Sequence, residues 1–225
     1  MCGRFARHRR DEIVERFLPF DGEFPELEPS FNVAPTQQVL AVRANSEGRR
    51  EFTTFRWGLI PSWARDESIS AHTSNARAET LLEKPSFKNA FRTRRCLIPA
   101  DGFYEWSKQG KEKVPYYFQL KSHEPLAFAG LWDRWRNPDG NVVESCTIIT
   151  TTPNELLQRF HHRMAAILKP ELFDTWLAPS TRVEALTDFL TPYPAEEMDA
   201  YRVSKLVNNV RNNSAECIVS DELFG

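Results

Sequence analysis

The sequence has little cysteine, no long apolar run and almost no net charge. Its four cysteines among 225 residues have neither metal-ligand spacing nor the density of a secreted disulfide scaffold, so we expect reduced thiols in a cytosol-like compartment. No apolar run approaches the roughly 18 residues that a membrane span needs, and residues 1–10 are too polar for a signal peptide. These absences predict a cytoplasmic protein without a membrane partner.

The charge balance limits how the chain could hold a polyanion. There are 29 Lys and Arg against 31 Asp and Glu, a formal net charge of -2, so the field of the whole molecule does not attract nucleic acid. Any DNA site must therefore be a local patch. The chain is 41% hydrophobic and lacks repeats, low-complexity stretches and long linkers, which predicts one domain over residues 1–225 with one substantial core.

Strand-like runs dominate the middle of the chain and follow one another too closely for intervening helices. Turn signals at residues 45–48, 109–113 and 137–140 join neighbouring runs into antiparallel hairpins. The predicted fold is α+β, a mainly antiparallel, barrel-like β core flanked by short helices in a single domain. The predicted strands cover residues 38–43, 51–59, 95–106, 114–120, 126–135 and 142–151.

Helices are predicted at the flanks of these strands. Thr152 as N-cap, Pro153 at the first helical position and Glu155 three residues after the cap form a capping box. This pattern predicts a helix from residue 152 to about residue 161. Apolar periodicity predicts three further helices, and the acidic, proline-containing segment at 19–29 is expected to be a surface loop. Those helices cover residues 11–18, 171–177 and 182–190.

The N-terminal residues MCGRF at 1–5 place a small side chain second, the usual condition for removal of the initiator Met1. Removal would leave Cys2 with a free amine beside its thiol. The amine condenses with an aldehyde to an imine, and the thiol closes on that imine to a thiazolidine. Both groups are mostly protonated near neutral pH, with ordinary pKa values of about 8 and about 8.5, so they need help from neighbours. The alternative is that Cys2 is an accident of the start.

A second group of polar and aromatic residues is typical of a nucleic-acid site. Arg77 could pair with a phosphate, Trp63 could stack on an unpaired base, and Asn75 could orient a sugar or aldehyde oxygen. The alternative is structural, with Trp63 in the core and Arg77 paired with Glu79 at the surface. These residues taken singly favour the structural interpretation.

Two further residues have side chains suited to proton transfer. Strand alternation puts Glu105 on the same face as Phe103, where loss of water raises a carboxyl pKa toward that of a general acid. The alternative is an edge-strand glutamate that reaches solvent. His161 ends the predicted helix and could exchange protons near neutrality, or it could act only as a C-terminal cap. Adjacent His161 and His162 do not predict a zinc site, because neighbouring helical residues face apart.

These segments together resemble the SOS response-associated peptidase family, whose members shield abasic sites in single-stranded DNA. The resemblance spans nearly the whole chain. It implies that Cys2 is the nucleophile, Asn75 positions the ring-opened sugar, Glu105 transfers protons, and His161 assists sugar opening or stabilises the crosslink. The motifs that carry it are MCGRF at 1–5, NVAP at 32–35, WG at 57–58, NARAE at 75–79, ADGFYEW at 100–106, HHRM at 161–164 and VSKLVN at 203–208.

The resemblance also implies a DNA-binding surface, with a loop that could act as a wedge at a junction between single-stranded and duplex DNA. Three positions depart from the family pattern. His162 stands where the family usually has Asp or Asn, Ala165 where it usually has Pro, and Trp63 is alone where some relatives have two adjacent tryptophans. The implied DNA contacts are Arg4, Asn32, Pro35, Trp63 and Arg77.

The expected activity is a covalent crosslink to abasic DNA with self-removal of Met1, without a metal or cofactor. We expect a monomer whose partner is single-stranded DNA with abasic sites, which would place it at the nucleoid when bound, and no obligate protein partner. One alternative is an N-terminal-nucleophile amidohydrolase, because glutamine amidotransferases also begin with Met-Cys-Gly. Another is a non-covalent single-stranded DNA-binding module.

Overall fold

The structure is a computed structural model that describes residues 2–110 and 112–221. Its strands are β1 (Phe5–Arg7), β2 (Ser30–Val33), β3 (Gln38–Ala44), β4 (Arg50–Trp57), β5 (Asn75–Arg77), β6 (Arg95–Ala100), β7 (Gly102–Gln109), β8 (Glu112–Leu120), β9 (Leu126–Arg136), β10 (Val142–Thr151), β11 (Met164–Ala165), β12 (Ile167–Leu168) and β13 (Met198–Arg202). Its α-helices are α1 (Arg10–Arg16), α2 (Pro85–Thr93), α3 (Phe173–Leu177) and α4 (Val183–Asp188).

Five strands close into a small barrel in the order β10–β4–β3–β6–β9 and back to β10. The pairings are antiparallel except that β4 and β5 run parallel to β10. The predicted α+β fold with a mainly antiparallel, barrel-like core and short flanking helices is confirmed. The barrel closes because β4 pairs with β10, although these two strands lie far apart in the sequence.

A second sheet has the order β13–β8–β7–β1–β2 and carries the N-terminal strand in its interior. The pairing aligns Phe5 with Phe103 and Ala6 with Gly102. Gly102 is required at this crossing, because a Cβ there would lie 2.4 Å from Cζ of Tyr117. The two sheets bury one apolar cluster that contains Phe5, Phe103 and barrel residues.

The buried carboxylate of Asp101 fastens the end of β1 to the corner between β6 and β7. It accepts hydrogen bonds from the backbone N–H groups of His8, at 2.5 Å, and Arg9, at 3.1 Å, and from Nε of Arg9 at 2.9 Å. The backbone N–H of Asp101 in turn donates to the carbonyl of Ala6 at 2.8 Å. These bonds fix the position of β1, which continues the segment that begins at Cys2.

The structure corrects two predictions of local structure. The run at 95–106 is not one strand, because the chain turns at Asp101 and enters the second sheet as β7. Residues 152–161 form no α-helix and only one 3-10 turn, Leu157–Arg159. Buried Asn154 replaces the predicted capping box, since its Oδ1 accepts from the N–H of Leu157 at 2.9 Å and its Nδ2 donates to the carbonyl of Tyr193 at 2.7 Å.

The other predicted elements agree with the structure. Helices α1, α3 and α4 lie within or close to the segments 11–18, 171–177 and 182–190, and 19–29 is an irregular surface loop. The turn predicted at 109–113 includes Lys111, which lies outside the described residues. Helix α2 and strand β1 were not predicted. None of the described helices is long and apolar enough to cross a membrane.

Candidate active site

Cys2 lies fully buried at the start of the segment that leads into β1. It belongs to the same apolar cluster as Phe5, Trp57 and Cys146. Loss of water raises the pKa of its thiol far above the ordinary value, and the charge of Glu105 raises it further. The thiol is therefore protonated at neutral pH. Met1, whose removal the sequence predicts, lies outside the described residues.

Asn75 contacts the backbone of Cys2 directly. Strand β5 pairs with β10 so that Ala76 enters the core, while Asn75 and Arg77 point to the opposite side. The Nδ2 of Asn75 donates to the carbonyl of Cys2 at 3.0 Å. Its Oδ1 is buried and accepts no hydrogen bond from the described residues. An oxygen acceptor beside Cys2 is therefore available to a hydroxyl or amine of a ligand.

Glu105 lies on β7 with only 3% of its surface exposed. It shares a strand face with Phe103, as the alternation of β7 predicts. Burial raises the pKa of its carboxyl from 4.5 to about 7, because the charged form loses its hydration. At neutral pH the carboxyl can therefore either give or take a proton, which is the property that acid–base catalysis requires.

His161 lies just after the 3-10 turn and its ring is fixed by the backbone. Its Nδ1 lies 3.0 Å from the backbone nitrogen of Arg163 and 3.2 Å from the carbonyl oxygen of the same residue, so the backbone of Arg163 holds the ring in place. Burial lowers the pKa of His161, which favours the neutral ring. His162 stacks on His161 with ring centroids 4.3 Å apart but is exposed. The geometry thus distinguishes His161, with a fixed ring, from its neighbour.

An open groove of about 880 Å³ runs from Glu105 and His161 along the hairpin of β7 and β8. Its wall also includes Trp106, Phe160 and Asn208, and several basic side chains. Of the residues that the sequence singled out, Arg4, Glu105 and His161 line this groove. Cys2 and Asn75 contact one another and are not part of the groove wall.

The predicted DNA contacts separate into two groups. Arg4 lines the groove and is held by Asn32, whose Oδ1 accepts from its guanidinium at 2.7 Å. Trp63 is 54% exposed, Arg77 is exposed and Pro35 is half-buried, but none of these three lines the groove. These three residues lie on a separate surface that is sterically accessible to DNA.

Asn32 itself needs a correction as a DNA contact. It is 1% exposed, and its Nδ2 donates to the carbonyls of Val207 at 3.2 Å, Asn209 at 3.0 Å and Asn212 at 2.8 Å. Because the amide already bonds to a backbone loop, it has no reach to DNA in this conformation. Its role is to hold the loop at 207–212 and the guanidinium of Arg4.

Sequence reasoning missed the ion pair between Arg163 and Glu79. The guanidinium makes two bonds to the carboxylate, at 2.7 and 2.9 Å, and one to the carbonyl of Thr150 at 2.6 Å. These bonds lower the pKa of Glu79 and anchor the residue whose N–H orients His161. The expected surface pair between Arg77 and Glu79 is replaced by this one. Residues 84 positions apart gave no sequence signal for it.

No three His, Cys, Asp or Glu side chains lie together as a metal site in residues 2–110 and 112–221. The arrangement instead combines a buried thiol, an amide that binds its backbone, a carboxyl with a pKa of about 7, and an imidazole whose ring is held by the backbone of Arg163. Such groups are suited to addition and proton transfer at a carbonyl.

Comparison with known proteins gives a consistent set of relatives. A family model described as SOS response associated peptidase (SRAP) matches residues 1–210. The chain is 48% identical to abasic site processing protein YoqW of Bacillus subtilis (strain 168), over 98% of this chain and 100% of that protein. It is 34% identical to abasic site processing protein HMCES of Xenopus tropicalis, over 98% of this chain and 78% of that protein.

One solved structure shares the fold closely. A crystal structure of a protein from Bacteroides thetaiotaomicron superposes with a TM-score of 0.88 at 30% identity, covering 97% of this chain and 99% of that chain. The range matched by the family model, residues 1–210, includes Cys2, Asn75, Glu105 and His161.

Proposed function

This chain belongs to the SOS response associated peptidase family, and from that membership we propose that it processes abasic sites in single-stranded DNA. The names of its relatives YoqW and HMCES support abasic-site processing. In the proposed reaction, Cys2 forms a covalent thiazolidine with the ring-opened sugar after Met1 is removed. The observation that carries the proposal is the hydrogen bond from Nδ2 of Asn75 to the carbonyl of Cys2. The charge of Glu105 also raises the pKa of the Cys2 thiol.

Removal of Met1 adds one water across the Met1–Cys2 peptide bond and frees the α-amine. We propose that the protein performs this step itself. The amine then adds to the sugar aldehyde, and loss of one water gives an imine. The thiol adds to the carbon of this imine in its protonated form, the thiol proton passes to a neighbouring base, and the five-membered ring closes with its nitrogen as a neutral secondary amine. The adduct weighs the sum of mature protein and DNA less one water.

Each neighbour has a role that its geometry supports. The free Oδ1 of Asn75 would orient a hydroxyl of the opened sugar. Glu105, with a pKa of about 7, would protonate the departing hydroxyl and accept the thiol proton. His161 would donate a ring proton to the sugar ring oxygen and assist opening. Arg4, Trp63, Arg77 and the loop with Pro35 would contact DNA.

The decisive experiment is intact mass spectrometry of the protein before and after exposure to single-stranded DNA with one abasic site. We expect loss of Met1, then an adduct smaller by one water than the sum. Cys217 is also buried but belongs to a different cluster, so Cys217→Ala is the matched control and should still crosslink. Cys2→Ala should lose the ring yet keep an imine that borohydride traps. A stable adduct of Cys2→Ala without reductant would refute the thiol mechanism.

The amidohydrolase alternative requires the thiol of Cys2 to attack a side-chain amide. The raised pKa of the buried thiol disfavours the thiolate that such an attack needs. Release of ammonia from glutamine by the purified protein would favour this alternative. The non-covalent alternative predicts salt-sensitive binding that survives Cys2→Ala and gives no denaturation-resistant complex. We expect the protein to act as a cytoplasmic monomer that joins the nucleoid when it binds DNA.

A further inference from the structure

The groove carries three exposed basic side chains beyond the reacting residues. Lys108 on β7, Lys113 on β8 and Arg159 in the 3-10 turn all line it. None of the three makes an ion pair or side-chain hydrogen bond within the described ranges 2–110 and 112–221. By contrast, Lys205 beside the same hairpin binds Glu112 at 2.8 Å. The groove wall therefore presents a local positive charge on a chain whose formal net charge is -2.

The two lysines oppose each other directly across the hairpin. The register of β7 and β8 pairs Lys108 with Lys113. Like charges at directly opposite positions destabilise a pair of strands, and neither lysine forms an ion pair with an acid in the part of the chain that the structure describes. An anion placed between the two ammonium groups would remove it. The arrangement is unfavourable for the hairpin alone and favourable for binding a phosphate.

Two aromatic side chains line the groove together with these cations. Trp106 and Phe160 are half-buried and line the same wall. The indole Nε1 of Trp106 donates to Oδ1 of Asn208 at 2.7 Å, and Phe160 packs against Tyr116 with ring centroids 4.7 Å apart. Both rings are therefore fixed in place. Cations interleaved with fixed aromatic rings are typical of single-stranded DNA binding, because bases stack on the rings while phosphates meet the cations.

We propose that this groove holds the nucleotides on one side of the abasic site, with their phosphates at Lys108, Lys113 and Arg159 and their bases against Trp106 and Phe160. The assignment rests on the proposed function and extends it to one flank of the DNA. Lys108 is three residues along β7 from Glu105, about 10 Å in an extended strand. The two lysines thus lie further along the hairpin than Glu105, at a distance suited to a nucleotide that flanks the reacting sugar.

The test uses a strand whose abasic site has been reduced to an alcohol, so that binding is measured without crosslinking. The variant is Lys108→Ala/Lys113→Ala/Arg159→Ala. A phosphate contact on a single strand contributes about 0.7 to the slope of log K against log salt, which corresponds to about fivefold in affinity at 0.1 M salt. Loss of three contacts should lower the slope by about 2 and weaken binding roughly 100-fold.

The matched control is Lys84→Ala/Lys88→Ala/Arg92→Ala, at the N-cap of helix α2 and on the helix itself. It removes two lysines and one arginine that are likewise exposed but lie outside the groove. The charge of the whole protein changes equally in both variants. We expect the control to retain the wild-type slope. An equal loss in both variants would mean that only overall charge matters, and it would overturn the proposal.

Two short strands test the one-sided placement. One carries five nucleotides only 5′ of the reduced abasic site, and the other carries them only 3′ of it. The groove variant should weaken binding of one strand and leave the other unchanged, which also gives the polarity of the bound DNA. Equal effects on both strands, or no effect on either, would overturn the proposal.

Crosslinking separates failure of this inference from failure of the proposed function. At saturating concentrations of an unreduced abasic strand, the groove variant should reach the same crosslinked fraction as wild type, because Cys2, Asn75, Glu105 and His161 are intact. Loss of salt-dependent binding with intact crosslinking supports the groove. Wild-type protein that binds the reduced strand but never crosslinks would refute the proposed chemistry and leave the groove supported.

Discussion

Replacement of Glu105 by glutamine tests the electrostatics of the site through protein stability. In the folded protein Glu105 keeps its proton up to a pH of about 7, whereas the ordinary pKa of glutamate is 4.5. Between these values the folded state binds more protons than the unfolded state, so the free energy of unfolding falls as the pH rises. The stability that a protonated Glu105 gives is fully present below pH 4.5 and is lost as the pH rises through the folded pKa.

The magnitude follows from the width of that window. At about 1.4 kcal/mol per pH unit, the difference between 4.5 and about 7 corresponds to about 3 kcal/mol. Glutamine is similar in shape and does not titrate, so it avoids this loss. The free energy of unfolding of Glu105→Gln, minus that of wild type, should therefore be about 3 kcal/mol more positive at pH 8 than at pH 4.

Urea denaturation at pH 4, 5, 6, 7 and 8 measures this difference, and subtraction removes the pH dependence of all other groups. Glu23→Gln in the exposed loop at 19–29 is the control for loss of one carboxylate outside the site. If the difference for Glu105→Gln does not change with pH, Glu105 is not desolvated and the reasoning fails. The same variant should crosslink about 10²- to 10⁴-fold more slowly, since glutamine cannot transfer a proton.

Three further variants test other parts of the structure. Asn32→Ala removes the hydrogen bonds to three backbone carbonyls and the partner of Arg4. We expect the free energy of unfolding, measured by urea denaturation, to fall by roughly 2–4 kcal/mol, and single-stranded DNA to bind more weakly. Wild-type stability would contradict the assigned role. Gly102→Ala places a methyl group 2.4 Å from Cζ of Tyr117 and should lower the thermal midpoint sharply or prevent soluble expression. Asn154→Ala leaves a buried carbonyl without its donor and should lower the free energy of unfolding by about 2–3 kcal/mol. An unchanged denaturation midpoint would show that the capping bond contributes little.

The strands were predictable because their signals are local. Periodicity and turn residues placed β3, β4, β8, β9 and β10 to within a few residues. Closure of the barrel had no such signal, since it depends on a parallel pairing between strands about 90 positions apart. The false helix at 152–161 arose because the capping pattern was real in sequence, while a competing bond from buried Asn154 fixed the backbone differently.

The site was partly predictable for a similar reason. Strand alternation alone placed Glu105 among apolar groups, and the resemblance to the family singled out Asn75 and His161. The residues that hold this site in place could not be predicted, because Arg163, Glu79 and Asn32 act through contacts with residues that are far away in the sequence. The sequence could not show whether Asn32 contacts DNA or is a buried side chain that binds the backbone. Asparagine occurs in both roles, and only the surroundings of the side chain determine which one it has.

Burial of Cys2 constrains the order of the proposed chemistry. Its thiol pKa is raised by loss of water and by Glu105, so a free thiolate is not available to attack first. The α-amine can begin the reaction instead, since it needs only to lose a proton near its ordinary pKa of about 8. The protonated imine that follows is a stronger electrophile than the aldehyde, and the thiol adds to it as the thiol proton leaves for a base. A carboxyl with a pKa of about 7 can protonate the leaving hydroxyl and then, as carboxylate, accept that proton. The same desolvation that makes Cys2 a poor nucleophile alone therefore makes Glu105 an effective acid and base beside it.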